Sequence, residues 1–386
     1  MNGTPVTAYE LKDTNVCKMN AGISDAPSSG NFYTWTNGKT WCKLDRVLVN
    51  SAWLDAGWLA HGHFAMPGYL SDHSSCIINA LDEQCRGRKS FKFLNMWTQH
   101  DRFLPIVNNV WSANVYGSKM FVLCRKLKDL KMHLKELNSQ EFSHISTGSA
   151  EANAALIHLQ NSLHDSPGDV LLQGHVMEAK AKALKLANAE HSFLSQQAKR
   201  KYIVNSDKGT KLFHSIMKRN ALRNYVPAIQ KAGGDWSGSN VEVEAEFDRF
   251  YRNLLGSSVE CNDIDMEVIN RGPLVSLSQN EDLTRPVLEM EIKEALWSIG
   301  EDKAPGPDGY SSCFFKNTWE CIKTDLISAV QEFFSTGKML RQLNHSVLVL
   351  IPKSSHATKV ENFRPIACCN VVYKMPRSWP LGLDLI

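Results

Sequence analysis

Apolar residues recur along this chain in two rhythms, and each predicts a different element. From Met120 the positions Met120, Leu123, Leu127, Leu130, Leu134 and Leu137 step by three and four residues, the heptad seam of one long amphipathic helix. Lys126, Lys128, Lys131 and Lys135 are assigned to its outer face. A second helix is predicted over about 170–202, with Ala179, Ala183, Leu186 and Leu194 inward. The turn Ser166-Pro167-Gly168 joins the two into a helical hairpin or antiparallel coiled coil. Phe247, Phe250, Tyr251 and Leu254 mark a short helix that stops at Gly256. The polar, acidic stretch after it, to about Asp282, reads as an extended loop. Thr284 as N-cap and Pro286 then start a helix with Leu288, Ile292, Leu296 and Ile299 inward. Trp319, Ile322, Leu326, Val330 and Phe333 space out one more.

The second rhythm is that of strands. Asn31 to Asn37 alternates and is β-rich, and Asn37-Gly38 is a strong hairpin turn signal. Further strands are predicted over Lys43 to Val49, around Cys76-Ile77-Ile78, and over Val347 to Ile351, the last followed by Pro352-Lys353. Between the helical segments lies Lys303-Ala304-Pro305-Gly306-Pro307-Asp308-Gly309. Its prolines fix φ and its glycines admit positive φ, so it is a rigid turn.

Composition adds little until charge is resolved along the chain. With 386 residues, 43% hydrophobic and 22% charged, the sequence suits a protein of two or three domains. The net charge of +3 conceals a block between Lys180 and Lys231 with 12 Lys or Arg against Glu190 and Asp207, about +10 in all. Lys199, Arg200, Lys201, Lys208, Lys211, Lys218, Arg219 and Arg223 are interleaved there with Tyr202, Phe213, His214 and Tyr225. Cations neutralise phosphates without regard to sequence, and aromatics among them allow base stacking. Taken alone, the block serves equally as a solvated helix face. The ten cysteines form no Cys-X-X-Cys pair or zinc spacing and read as reduced thiols. No signal peptide or apolar stretch of roughly 20 residues is present. An intracellular protein, nuclear or cytoplasmic and off the membrane, is therefore expected.

Three ordered blocks near the carboxyl end, "KAPGPDGY", "LVLIPK" and "NFRPIACCNVVYK", closely resemble the fingers of the reverse transcriptase of plant LINE-type (non-LTR) retrotransposons. The resemblance implies that Lys353 and Arg364 sit in a fingers hairpin near the triphosphate of an incoming nucleotide. A guanidinium forks around phosphate and a lysine offers a point charge. Without the resemblance they are ordinary surface cations beside a strand. "DKGTKLFHSIMKRNALRN" is similar to the segment before that polymerase, although the family's Trp-Leu is Ile203-Val204 here. The family's metal-binding carboxylates arrive later, in an Asp-bearing strand and a Tyr-X-Asp-Asp turn, and neither occurs here. After Tyr373-Lys374 the residues 375–386 depart from the family and read as an aberrant tail from a frameshift or mis-splicing.

The amino-terminal blocks "FYTWTNG", "KLDRVLVN" and "LSDHS" resemble the carboxyl-terminal half of the endonuclease/exonuclease/phosphatase fold in the same polyproteins. The resemblance implies that His73 acts on the phosphodiester or the attacking water. Asp45 would orient its imidazole, and Asp72 would lie near the metal. By themselves Ser71-Asp72-His73 are a turn with a solvated histidine. The family's upstream Glu, Asn and Asp-X-Asn are not matched, so Asp72 is left as a single ligand where Mg²⁺ needs several.

The expected fold class is α+β and multidomain. Residues 1–80 would be a partial endonuclease β-sandwich and 81–235 a long helical connector. Residues 236–386 would be incomplete reverse transcriptase fingers, ending before the palm. The expected function is a truncated endonuclease/reverse transcriptase (RNA-directed DNA polymerase) polyprotein, catalytically inactive. Its Mg²⁺ would belong to the intact parent and not to this chain. Its partners would be RNA or DNA through the basic connector, and an intact retrotransposon polyprotein. The alternative is a helical protein-interaction module using the 120–205 hairpin.

Overall fold

The computed structural model describes the chain apart from residues 1–6, 8, 51, 54–55, 57, 68–70, 83–89, 199–225, 227, 238, 259–265, 273–274, 355–356 and 378–386. Helix α1 (Lys12–Asn20) precedes strands β1 (Ile23–Asp25), β2 (Ser28–Gly30), β3 (Trp35–Thr36), β4 (Trp41–Cys42), β5 (Leu48–Asn50), β6 (Trp58–Phe64) and β7 (Cys76–Asp82). Helices follow as α2 (Phe103–Trp111), α3 (Lys119–Glu141), α4 (Ile145–Asp165), α5 (Val170–Ala198) and α6 (Asn240–Gly256). Then come α7 (Met266–Arg271), α8 (Leu277–Thr284), α9 (Glu289–Ser298), α10 (Ser312–Asn317), α11 (Trp319–Thr336) and α12 (Arg341–Asn344). Strands β8 (Ser346–Pro352) and β9 (Phe363–Cys369) and helix α13 (Val371–Arg377) complete the order. The α+β class expected from the sequence is therefore observed. Two compact units interleave along the chain: 1–89 with 210–264 and 348–366, and 90–209 with 265–347 and 367–386.

In the first unit, β2 runs parallel to β6 and β6 antiparallel to β7. Gly30 has φ +85°, and a Cβ there would stand 2.1 Å from the Phe64 carbonyl oxygen. Only glycine lets β2 close on β6. The predicted hairpin forms as β3–β4, shorter than its sequence signal. Asn37 Oδ1 accepts from the Lys39 and Thr40 amides at 3.1 and 2.7 Å while Gly38 takes φ +84°. The Lys43–Val49 strand shrinks to β5, which pairs with β1. A small core joins Ile229, Val243, Phe247, Val360 and Phe363, with Phe250 and Tyr251 packed against it, while Leu254 at the end of α6 is 60% exposed. The β8–β9 hairpin expected from "LVLIPK" and "NFRPIA" is present.

The second unit holds the larger core. All six seam residues of α3 are buried, and they pack against α2 and α11 within the chain. Lys126, expected on the outer face, is instead 8% exposed. Its ammonium donates to Asp325 Oδ2 at 2.8 Å and to the Trp111 carbonyl at 2.9 Å. The seam is wider than a strict heptad, and the long stem reaches a partner on α11. The start of α3 is capped by Ser118 and by Glu332, which accepts from the Met120 amide at 2.8 Å. A carboxylate there meets unpaired N–H groups and the positive end of the dipole.

Three further corrections concern helices. The partner of α5 is α4 rather than α3; α4 buries only Ile145, Ser149 and Ala152, too small a signal to stand out. The acidic stretch taken as a loop contains α7 and α8. Thr284 ends α8, and α9 starts after Leu288 instead.

The turn at Gly306–Tyr310 sits at the centre of this unit. A Cβ on Gly306 would lie 2.3 Å from the Asn370 nitrogen, and one on Gly309, at φ +80°, 2.1 Å from the Phe91 carbonyl oxygen. Tyr310 is fully buried and its phenol donates to the Leu127 carbonyl at 2.7 Å. Met375, assigned to the aberrant tail, is 1% exposed in this core.

Gly309→Ala is expected to cost on the order of 2–4 kcal/mol by chemical denaturation, because it adds both backbone strain and a main-chain clash. Gly38→Ala, with the same sign of φ but open space around it, is expected to cost only about 1 kcal/mol. Equal losses would show that the close approach to Phe91 is not what fixes Gly309. Asp325→Ala is expected to cost about 3 kcal/mol or more, since it strands a buried ammonium. Lys126→Met keeps the stem's packing and is expected to cost less.

Candidate functional site

The site on the first unit is built outward from Thr34. Thr34 is fully buried. Its hydroxyl oxygen accepts from the Asp45 amide at 2.8 Å and the Leu44 amide at 3.1 Å, fixing the start of the segment that carries Asp45. Its carbonyl accepts from the Ser74 amide at 2.7 Å, and the Thr36 amide donates to the Asp72 carbonyl at 2.9 Å. Trp35 and His73 thereby face each other as an isolated antiparallel bridge. Two short strand ends thus bring three side chains, far apart in sequence, to one place.

His73 Nδ1 lies 3.0 and 3.1 Å from the two Asp45 carboxylate oxygens. The Asp45 contact raises the His73 imidazole above the ordinary histidine range, against burial. For Asp45, burial pushes the carboxyl up, but the bonds from His73 and Thr34 outweigh it and hold it below the usual range. A carboxylate on Nδ1 leaves Nε2 as the nitrogen turned to a ligand, the arrangement that orients a catalytic imidazole. Asp72 is held separately: its Oδ2 accepts from the Trp35 indole at 2.8 Å. His73, Asp45 and Asp72 are thus brought together.

Sequence reasoning treated Thr34 and Trp35 only as strand residues. The signal for Thr34 was its position: on a strand, 34 and 36 share a face opposite 35. A polar residue on the buried face must satisfy something there.

Magnesium does not fit this donor set. Asp45 is engaged by His73 and Asp72 by Trp35, and among the described residues no group of three or more His, Cys, Asp or Glu could hold a metal ion. An octahedral site needs more carboxylate oxygen than Asp72 has left.

The other sequence-derived sites fare differently. Lys353 follows β8 and Arg364 lies on β9, and both are exposed. Lys353 Nζ donates to the Glu361 carbonyl at 2.7 Å, while its amide bonds to the Asn362 carbonyl at 2.8 Å. The hairpin therefore presents two cations to solvent on one small sheet. The basic residues Lys199, Arg200, Lys201, Lys208, Lys211, Lys218, Arg219 and Arg223 lie outside the described residues. Among the described residues, no helix is long and apolar enough to cross a membrane.

No family model matches the chain. The chain is similar to an uncharacterized 149 kDa protein of transposon TX1 from Xenopus laevis, 24% identical over 340 residues. That match covers 86% of this chain and 26% of the transposon protein, so the chain spans about a quarter of the relative's length.

The His73–Asp45 pair is testable by titration. Asp45→Asn is expected to bring the His73 pKa down toward 6.5, followed by its ring-proton shifts in NMR. Because the folded value is raised, the pair stabilises the fold below the unfolded pKa. That contribution fades as pH rises through the folded one. An unchanged His73 titration in the variant would mean the two side chains are not coupled in solution.

Proposed function

We propose that this chain derives from a LINE-type (non-LTR) retrotransposon polyprotein. It would carry the carboxyl-terminal part of an endonuclease/exonuclease/phosphatase-like domain and the first part of a reverse transcriptase-like domain. The observation that carries the reading is ordered similarity across most of the chain to a transposon protein, together with the His73–Asp45 geometry inside "KLDRVLVN" and "LSDHS". The parent would nick DNA and copy RNA from the freed 3′ end. This chain retains groups that receive phosphate, His73, Lys353 and Arg364, without a carboxylate set for magnesium at His73. It would bind RNA or DNA through residues 199–223 and be catalytically silent. β7 fits the same reading: it is an edge of its sheet among the described strands, able to pair with further strands, and Ile77 and Ile78, on its opposite faces, are 63% and 60% exposed.

Binding of single-stranded RNA by the full chain should fall steeply with salt. Replacing Lys199, Arg200 and Lys201 by alanine should reduce the slope of log affinity against log salt by about 2, three charges at ~0.7 each. With Mg²⁺ present, neither plasmid nicking nor primer extension should appear. Nicking that disappears in His73→Ala would overturn the silent-site reading.

One observation favours a second reading, a helical interaction module. On α5, Val170, Met177 and Leu184 recur every seven residues and are 76%, 73% and 60% exposed. The α3 seam is buried inside the chain, so a partner helix would have to use α5. Self-association lost on Met177→Lys and Leu184→Glu, insensitive to salt, would favour this reading.

A further inference from the structure

The Gly306–Tyr310 turn contains one polar atom that the fold leaves without a partner. Asp308 Oδ1 accepts from the Tyr310 amide at 3.0 Å, and the Asp308 amide donates to Asn370 Oδ1 at 3.0 Å. Asp308 as a residue keeps some exposure, but its Oδ2 is sealed from solvent and has no hydrogen-bond partner. A buried ionised carboxylate needs compensation at both oxygens, whereas a neutral carboxylic acid costs far less.

The compensating cations are near and otherwise engaged. From α3, Lys131 lies over the Phe91 and Tyr310 rings, its ammonium 5.2 and 5.8 Å from their centroids. From α13, Lys374 reaches the Ala304 carbonyl at 3.4 Å. Cys124 on α3 also senses the Asp308 charge; burial, and then that charge, push its thiol up to about 11. The Tyr310 phenol is committed to Leu127, so it does not serve Oδ2.

We propose that Asp308 is a pH-operated latch on this turn: as a neutral acid it lies in the apolar surround and holds the turn closed, and as a carboxylate it loosens it. Release would require Lys131 to leave its rings or Lys374 its carbonyl. The turn carries Tyr310 into the core and abuts Asn370 ahead of α13, so loosening it would free both attachments. Burial pushes the Asp308 carboxyl up to about 6, with Lys131 and Lys374 opposing. Lys131 is itself lowered, chiefly by burial, with the Asp308 charge opposing that shift. The folded chain holds a proton that the unfolded chain releases near pH 4, so stability declines from about pH 4 to pH 6 and stays lower above.

The test is denaturant unfolding of the full chain between pH 4 and pH 7.5, with hydrogen exchange of the 305–311 backbone corrected for intrinsic rate. Relative to Asp308→Asn, the wild-type folding constant should fall about a hundredfold across that range, two pH units at tenfold each, and exchange should rise in step. Parallel pH profiles for wild type and Asp308→Asn, or exchange that does not change with pH, would overturn the proposal. Should Asp308→Asn fail to fold, Lys131→Met decides. Removing the opposing cation should move the midpoint of the pH dependence upward, and an unmoved midpoint would overturn the latch.

Discussion

The second unit depends on the clearance around two glycines. At Gly306 and Gly309 the main chain runs so close to Asn370 and Phe91 that no side chain could be interposed. That proximity lets the Phe93 amide donate to the Gly309 carbonyl at 2.8 Å and Asn370 Nδ2 reach the Gln342 and Leu343 carbonyls. A single turn thereby ties together the chain around residue 91, the middle of α3 through Tyr310, α12 itself and the segment ahead of α13. Around it Phe91, Phe93, Trp97, Tyr310, Phe314 and Phe315 form a run of ring contacts 4.6–6.4 Å apart. The rings supply the apolar burial, and the glycines decide where the rings meet. The proline-glycine turn read in the sequence as rigid punctuation is thus a packing element of the core.

What could be read ahead of the structure follows the size of the signal. The α3 seam was legible because six large apolar residues share one face, and α11 was legible for the same reason. Helix α4 was not, because Ser, Gly, Ala and Asn fill its first half and the face it buries is made of small groups. Strand β6, Trp-Leu-Ala-His-Gly-His-Phe, breaks the alternation that announces strands. It places His61 in the interior, 6% exposed, where burial lowers its imidazole to about 4 and keeps it neutral. Lys126 was misplaced because heptad reasoning sees only positions, not the length of a lysine stem. At the candidate site, His73, Asp45 and Asp72 were legible through their flanking blocks. Thr34 and Trp35 were not, since the bonds that make them matter run across strands.

Lys126 and the cations of the candidate sites use their charge differently, and that contrast bears on chemistry. In the second unit, Lys126 is internal and paired with Asp325 at 2.8 Å, so its charge is spent on holding α3 to α11. In the first unit, Lys353 and Arg364 lie on the outside of a small hairpin, and His73 is coupled to a carboxylate on its Nδ1 side only. Exposed cations such as Lys353 and Arg364 keep their attraction for an anion. Metal-dependent phosphoryl chemistry asks for the reverse, carboxylates left free by their own neighbours. The acids of the site accept hydrogen bonds from their neighbours, Asp45 from histidine and one oxygen of Asp72 from the Trp35 indole. Phosphate recognition and metal activation are separable demands on a surface, and around His73 the side chains supply an oriented imidazole without a carboxylate cluster among the described residues.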